Sequence, residues 1–138
     1  MKRLLLLFVI CTASKAAFTQ DKCELIVRVE NIKEIKGSLM IAIYNHEDHF
    51  LTKEMISASK SIDSTIIEFS FELLGQEKYA VSIYQDENDN GKLDSNFMGI
   101  PSEPYAFSNN AKGMFGPPSF EDCKFEVKGG AQKIIISL

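Results

Sequence analysis

Histidine is scarce in this chain. Its 138 residues hold two, His46 and His49, both in one polar stretch. A serine or cysteine nucleophile needing an imidazole base would have to use one of these. No G-x-S-x-G elbow, H-E-x-x-H pair or phosphate-binding glycine loop occurs. His46-Glu47-Asp48-His49 has residue types that suit zinc. Zinc needs three or four converging ligands, and the nearest downstream cysteine, Cys123, is far away in sequence. The stretch reads as a solvated loop, and no enzyme is expected.

Long apolar runs are missing too. Leu4 to Ala13 falls far short of the ~20 residues that a membrane span needs. It follows Lys2 and Arg3 and precedes Ala16 and Ala17, the order of a secretory signal. Cleavage after Ala17-Phe18-Thr19 makes residues 1–19 a signal peptide and residues 20–138 one exported domain, periplasmic or extracellular. Cys11 follows bulky Ile10, whereas a lipid-anchored cysteine normally follows a small residue. Lipidation is not expected, nor is a transmembrane span.

Basic charge is short. Residues 20–138 carry twelve basic and nineteen acidic residues, a net charge of −7. An acidic domain is a poor match for nucleic acid or anionic lipid. It suits a solvated surface and cation binding.

No segment keeps a long 3.6-residue period, and no internal repeat or low-complexity tract appears. What is present is alternation, the mark of half-buried strands. Cys23, Leu25, Val27 and Val29 share one face of a first run. Leu39, Ile41 and Ile43 share a second, Ile67, Phe69 and Phe71 a third, and Tyr79, Val81 and Ile83 a fourth. Phe125 with Val127, then Ile134, Ile136 and Leu138, complete the set. Asn31 to Gly37 and Gly75 punctuate the runs, and Gly129-Gly130 predicts a tight hairpin before the last strand. Residues 46–61 are the least strand-like, with room for one short helical turn. The pattern predicts an all-β fold, an immunoglobulin-like or transthyretin-like antiparallel β-sandwich of about seven strands. Cys23 and Cys123 form a candidate disulfide in an exported domain, which would stabilise it by up to about 4.7 kcal/mol on the chain-entropy account. Two separate buried thiols are the alternative.

Residues 95–119 break the alternation. They hold all four prolines, Pro101, Pro104, Pro117 and Pro118, and the aromatics Phe97, Tyr105, Phe107 and Phe115. So long a loop is uncommon and often functional. It predicts a Pro/Gly/aromatic flap, whose aromatics either cap the core or form a binding edge for a protein or carbohydrate ligand.

Just before the flap stands Asp86-Glu87-Asn88-Asp89-Asn90-Gly91-Lys92-Leu93-Asp94. Calcium, a hard cation, takes six to eight oxygens. Asp86, Asn88 and Asn90 place side-chain oxygens at alternate positions, and Gly91 permits the sharp turn. The Lys92 carbonyl and Asp94 extend the set, and calcium is the cofactor it points to. The twelfth position, where a helix-loop-helix calcium loop has a bidentate Glu, is Phe97, and a strand precedes the loop, so it is no EF-hand. Glu103 is the candidate for the missing carboxylate. The same Asp, Asn and Gly also suit a metal-free turn held by side-chain to backbone hydrogen bonds. Both readings stand.

The stretch from Tyr79 to Phe125 resembles a bacterial secreted family, domain of unknown function 2141. The shared residues are Asp86, Asn88, Asn90, Gly91 and Asp94, then Gly99 to Pro101, Glu103, Phe107 to Asn109, Ala111, and Pro118 with Phe120. A weaker G-x-L-x-x-A-x-Y-N strand spans Gly37 to Asn45. The resemblance implies an exported β-domain, and it implies that the acidic loop and the G-I-P-x-E segment form one unit, which raises Glu103 as a ligand. At Cys123 the family more often has Ala. The expectation is a non-catalytic binding or structural module with calcium ordering the loop. Against it stand a metal-free structural envelope protein and a hydrolase using Asp86, Asp94 and Glu103.

Overall fold

The computed structural model describes residues 21–75 and 77–138. The expected signal peptide and Cys11 lie outside them. Eight strands form two sheets: β1 Lys22–Glu30, β2 Ser38–Tyr44, β3 Ile56–Ser61, β4 Ile67–Leu74, β5 Glu77–Asp86, β6 Tyr105–Phe107, β7 Phe125–Val127 and β8 Gly130–Ser137. The first sheet has the order β4-β1-β8, the second β3-β2-β5-β6, with β7 also on β5.

The alternating residues do what period two requires. Leu25, Val27 and Val29 of β1 meet Leu39, Ile41 and Ile43 of β2 and Val81 and Ile83 of β5 in one core between the sheets. The fold is the sandwich that the patterning predicts, with two departures. β1 pairs β4 antiparallel but β8 parallel, Val29 opposite Ile136, so the first sheet is mixed. Gly129-Gly130 forms no hairpin: β7 pairs with β5 and β8 with β1, so the glycine pair carries the chain from one sheet to the other. Residues 46–61 hold the expected helical turn, Glu47–His49, and also the edge strand β3.

One edge of β5 is shared. β6 pairs with Ser82 to Tyr84 and β7 with Glu77 to Tyr79. Between them the N–H of Val81 needs a partner, and it donates to the Ser108 Oγ at 2.9 Å. Ser108, fully buried, in turn donates to the Cys123 carbonyl at 2.6 Å. One hydroxyl thus bridges the break between two short strands.

A second core lies on the outward face of the second sheet. Tyr44 and Ala80, opposite each other in register, gather Phe107, Phe120 and Cys123. The Phe50 ring packs among them, with centroids 5.2 Å from Tyr44 and 5.7 Å from Phe120. A helical turn, α1 Phe120–Cys123, holds the last two in place. Ser119 caps it and Asp122 returns the bond, a complete capping box. Phe107 and Ala111 of the expected flap are therefore folded onto the sheet.

Cys23 belongs to the first core and Cys123 to the second, and both are free thiols. The candidate disulfide is not formed, because the two cysteines are packed in different clusters.

Candidate functional site: a carboxylate knot and two arms

β5 ends in Asp86, which is 2% exposed. Its carboxylate closes the loop from inside. One oxygen accepts from the Asn90 N–H at 3.1 Å and the other from the Gly91 N–H at 2.6 Å. Asp89 and Gly91 take positive φ, 55° and 77°. The Asn88 Oδ1 accepts from the Asn90 N–H and the Asn90 Oδ1 from the Lys92 N–H, each two residues on. These are Asx turns.

Glu103, 7% exposed, reaches back from the far side of the loop. One of its oxygens accepts from the Glu87 N–H and the other from the Asp94 N–H, both at 2.9 Å. It therefore ties the first and last residues of the loop together. Asp94 receives the side-chain amides of Asn88 at 2.6 Å and Asn90 at 2.9 Å. Of the six expected ligand residues, five place their side chains in one knot, while Lys92 joins through its backbone N–H.

Neighbouring elements lock the knot to the sandwich. Asp89 accepts from the Ser38 hydroxyl at 2.7 Å. Gly37, at φ +67°, lies so close that an added Cβ would sit 1.9 Å from the Asp86 carbonyl oxygen. That contact explains the glycine opening the G-x-L-x-x-A-x-Y-N strand. The Tyr84 phenol is pushed up by burial and then by the Asp86 and Glu103 charges.

The chain leaves the knot as a first arm. The N–H of Ser102 donates to the Asp94 carbonyl at 2.8 Å, and the Asn96 side chain accepts from the Met98 and Ile100 N–H groups. A second arm, residues 112–117, turns at Gly113 and Gly116. Gly99 and Pro101 of the first arm and Gly116 and Pro117 of the second wall one recess of about 360 Å³, with Leu51, Leu93, Tyr105 and Phe107.

The four expected binding aromatics separate. Phe97 and Phe115 stand fully in solvent, and Tyr105 is 43% exposed. Phe107 is buried in the second core and meets the recess only as its floor. Ser108 and Asn109 were not singled out for any role by composition. Asn109 takes φ 60° and donates to the Asp122 and Lys124 carbonyls, so the F-S-N-x-A segment is the clasp that fastens the second core. The only signal pointing there was that motif itself.

Among the described residues, no three His, Cys, Asp or Glu side chains converge as a metal-binding group. Any cation site at the knot would draw on amide and backbone oxygens as well. His46 and His49 sit exposed at the two ends of the helical turn, with ring centroids 5.6 Å apart and no third ligand among the described residues.

No curated protein and no solved structure matches the chain. A family model does match, over residues 27–135, and its description is an uncharacterized protein conserved in bacteria. The match takes in both sheets, the knot and the two arms, so the chain belongs to the bacterial family of domain of unknown function 2141.

Proposed function

We propose that this protein is an exported, non-catalytic binding module whose contact edge is the recess with its two arms. The carboxylate knot is its fixed base. The observation that carries the reading is Glu103: a buried carboxylate spends both oxygens on backbone N–H groups to hold the loop and the first arm in one geometry. Preorganisation of this kind serves binding. It also leaves Asp86 and Glu103 poorly placed for acid–base work, since all four oxygens already accept backbone bonds.

Calcium fits the donor chemistry. Asp86, Asn88, Asn90, Asp94 and Glu103 offer hard oxygens around one loop, and the Lys92 carbonyl would complete the set. The Asn88 and Asn90 amides now donate hydrogen bonds to the Asp94 carboxylate, and calcium would replace them as its partner. With few carboxylates, affinity should fall near 10⁻⁴–10⁻³ M, on the order of extracellular modules. A second reading, a structural envelope domain with a metal-free turn, is favoured by the same hydrogen bonds, which close the loop without any cation.

Thermal unfolding in EGTA and in about 5 mM calcium separates the two. Mass action at that affinity gives roughly 1–2.3 kcal/mol, or about 4–9 °C in Tm for a domain of this size. Asp94→Ala should abolish the rise. A Tm that does not move with calcium in the native chain removes the cation and leaves the turn.

A further inference from the structure

Among the described residues, the most exposed large apolar side chains are at the arm tips. Phe97 is 97% exposed, Phe115 100%, Met114 90% and Met98 68%. Exposed apolar residues are ordinary when scattered singly, whereas a contiguous group marks an interaction surface. Each tip pairs a Phe with a Met, and the two arms wall the same recess. The tips therefore flank one site.

Side chains this exposed have no protein wall around them. They are projecting points, not a socket shaped for a rigid partner. A fluid that closes round any projection suits them. Charge points the same way. The chain holds nineteen acidic residues, yet residues 95–102 carry no charged residue and residues 104–120 carry only Lys112. Acid-free, weakly cationic tips can approach a phosphate layer while the acidic body stays in water. Tyr105, half-exposed beside the recess, has the apolar ring and polar tip that favour a membrane interface.

We propose that the two arms insert Phe97, Met98, Met114 and Phe115 into the headgroup–acyl boundary of a zwitterionic phospholipid bilayer, docking the domain on its surface. This rests on reading the arms as the contact edge and does not depend on calcium. A single lysine supplies little Coulomb attraction, so docking is apolar and survives high salt. Anionic lipid weakens it, because the body of the protein is acidic.

The chain contains no tryptophan, so Phe115→Trp is a lone fluorescent reporter. Ile135, 52% exposed on β8 of the other sheet, provides a control as Ile135→Trp. Phosphatidylcholine vesicles should shift the Phe115→Trp emission to the blue and leave Ile135→Trp unchanged. The native chain should sediment with the vesicles and stay bound in about 0.5 M salt. Phe97→Ser/Phe115→Ser should lower partitioning by about 100-fold. An unshifted Phe115→Trp at saturating lipid, or equal partitioning by the double variant, overturns the proposal. If vesicles leave that emission unshifted while diluting the protein moves it, copies of the chain meet at the arms. The contact edge then stands and the lipid does not.

Discussion

Replacing Glu103 with glutamine isolates the knot, because size and burial stay the same and one oxygen becomes an amide NH2. In the native chain the two oxygens accept from Glu87 and Asp94 at 2.9 Å each. Hydrogen bonds to a charged group contribute about 1.5–3 kcal/mol each, and a buried donor left without a partner costs about 1–3 kcal/mol. Glutamine keeps one bond in weaker, neutral form and turns a donor toward the other N–H. The expected loss is about 2–4 kcal/mol. For a domain of this length that lowers Tm by roughly 8–16 °C. Thermal unfolding followed by circular dichroism reads the total. Amide hydrogen exchange reads the location: protection should fall first at Glu87 and Asp94, then at Ser102, which hangs from the Asp94 carbonyl. A loss under 1 kcal/mol with unchanged exchange at Glu87 and Asp94 would refute the reasoning, since it would mean that loop closure does not depend on the carboxylate.

Ser108→Ala should cost about 2–4 kcal/mol in denaturant unfolding, because it leaves the buried Val81 N–H and Cys123 carbonyl without their partner; a loss near zero would show that the bridge between β6 and β7 is dispensable. Burial, with a smaller contribution from Asp122, pushes the Cys123 thiol up from 9.0 to about 11. The folded state thus holds that proton more tightly than the unfolded chain, so its stability is full below pH 9 and falls as pH rises toward 11. Urea midpoints at pH 8 and 10.5 should show this decline, and Cys123→Ala should reduce it, the remainder coming from Tyr79 and Tyr84, whose phenols burial also pushes up.

Sequence patterning exposed β1, β2, β4 and β5 because each buries three or more alternating apolar side chains. β3 stayed hidden because Ser57, Ser59 and Lys60 leave only Ile56 and Ala58 to pack inward. β6 has three residues inside a proline-rich stretch, too short for a period to show. The knot was half legible. Spacing displayed the D-x-N-x-N-G-x-x-D oxygens, but the return of Glu103 depends on how the chain folds back, which spacing does not encode. Which flap aromatic caps a core and which stays in solvent was not legible, because residue type does not reveal which aromatic gets covered. Tyr105 and Phe107 point to the same side of β6, yet Phe50 and Phe120 roof only the second. Gly129-Gly130 misled because a glycine pair serves a crossing between sheets as well as a hairpin, and Gly130 does take positive φ.

The parallel pairing of β1 with β8 has a bearing on how the chain comes to fold. β1 is the middle strand of its sheet, and one of its two edges is filled only by the final strand. Bringing the two together closes a loop of more than a hundred residues, so the contact that completes the first sheet is among the most distant in sequence. Long-range pairings of this kind slow folding. Until β8 arrives, a strand rich in valine and leucine keeps an open edge that invites pairing with other chains. Synthesis from the N-terminus therefore leaves β1 with one edge unpaired until β8 has been made.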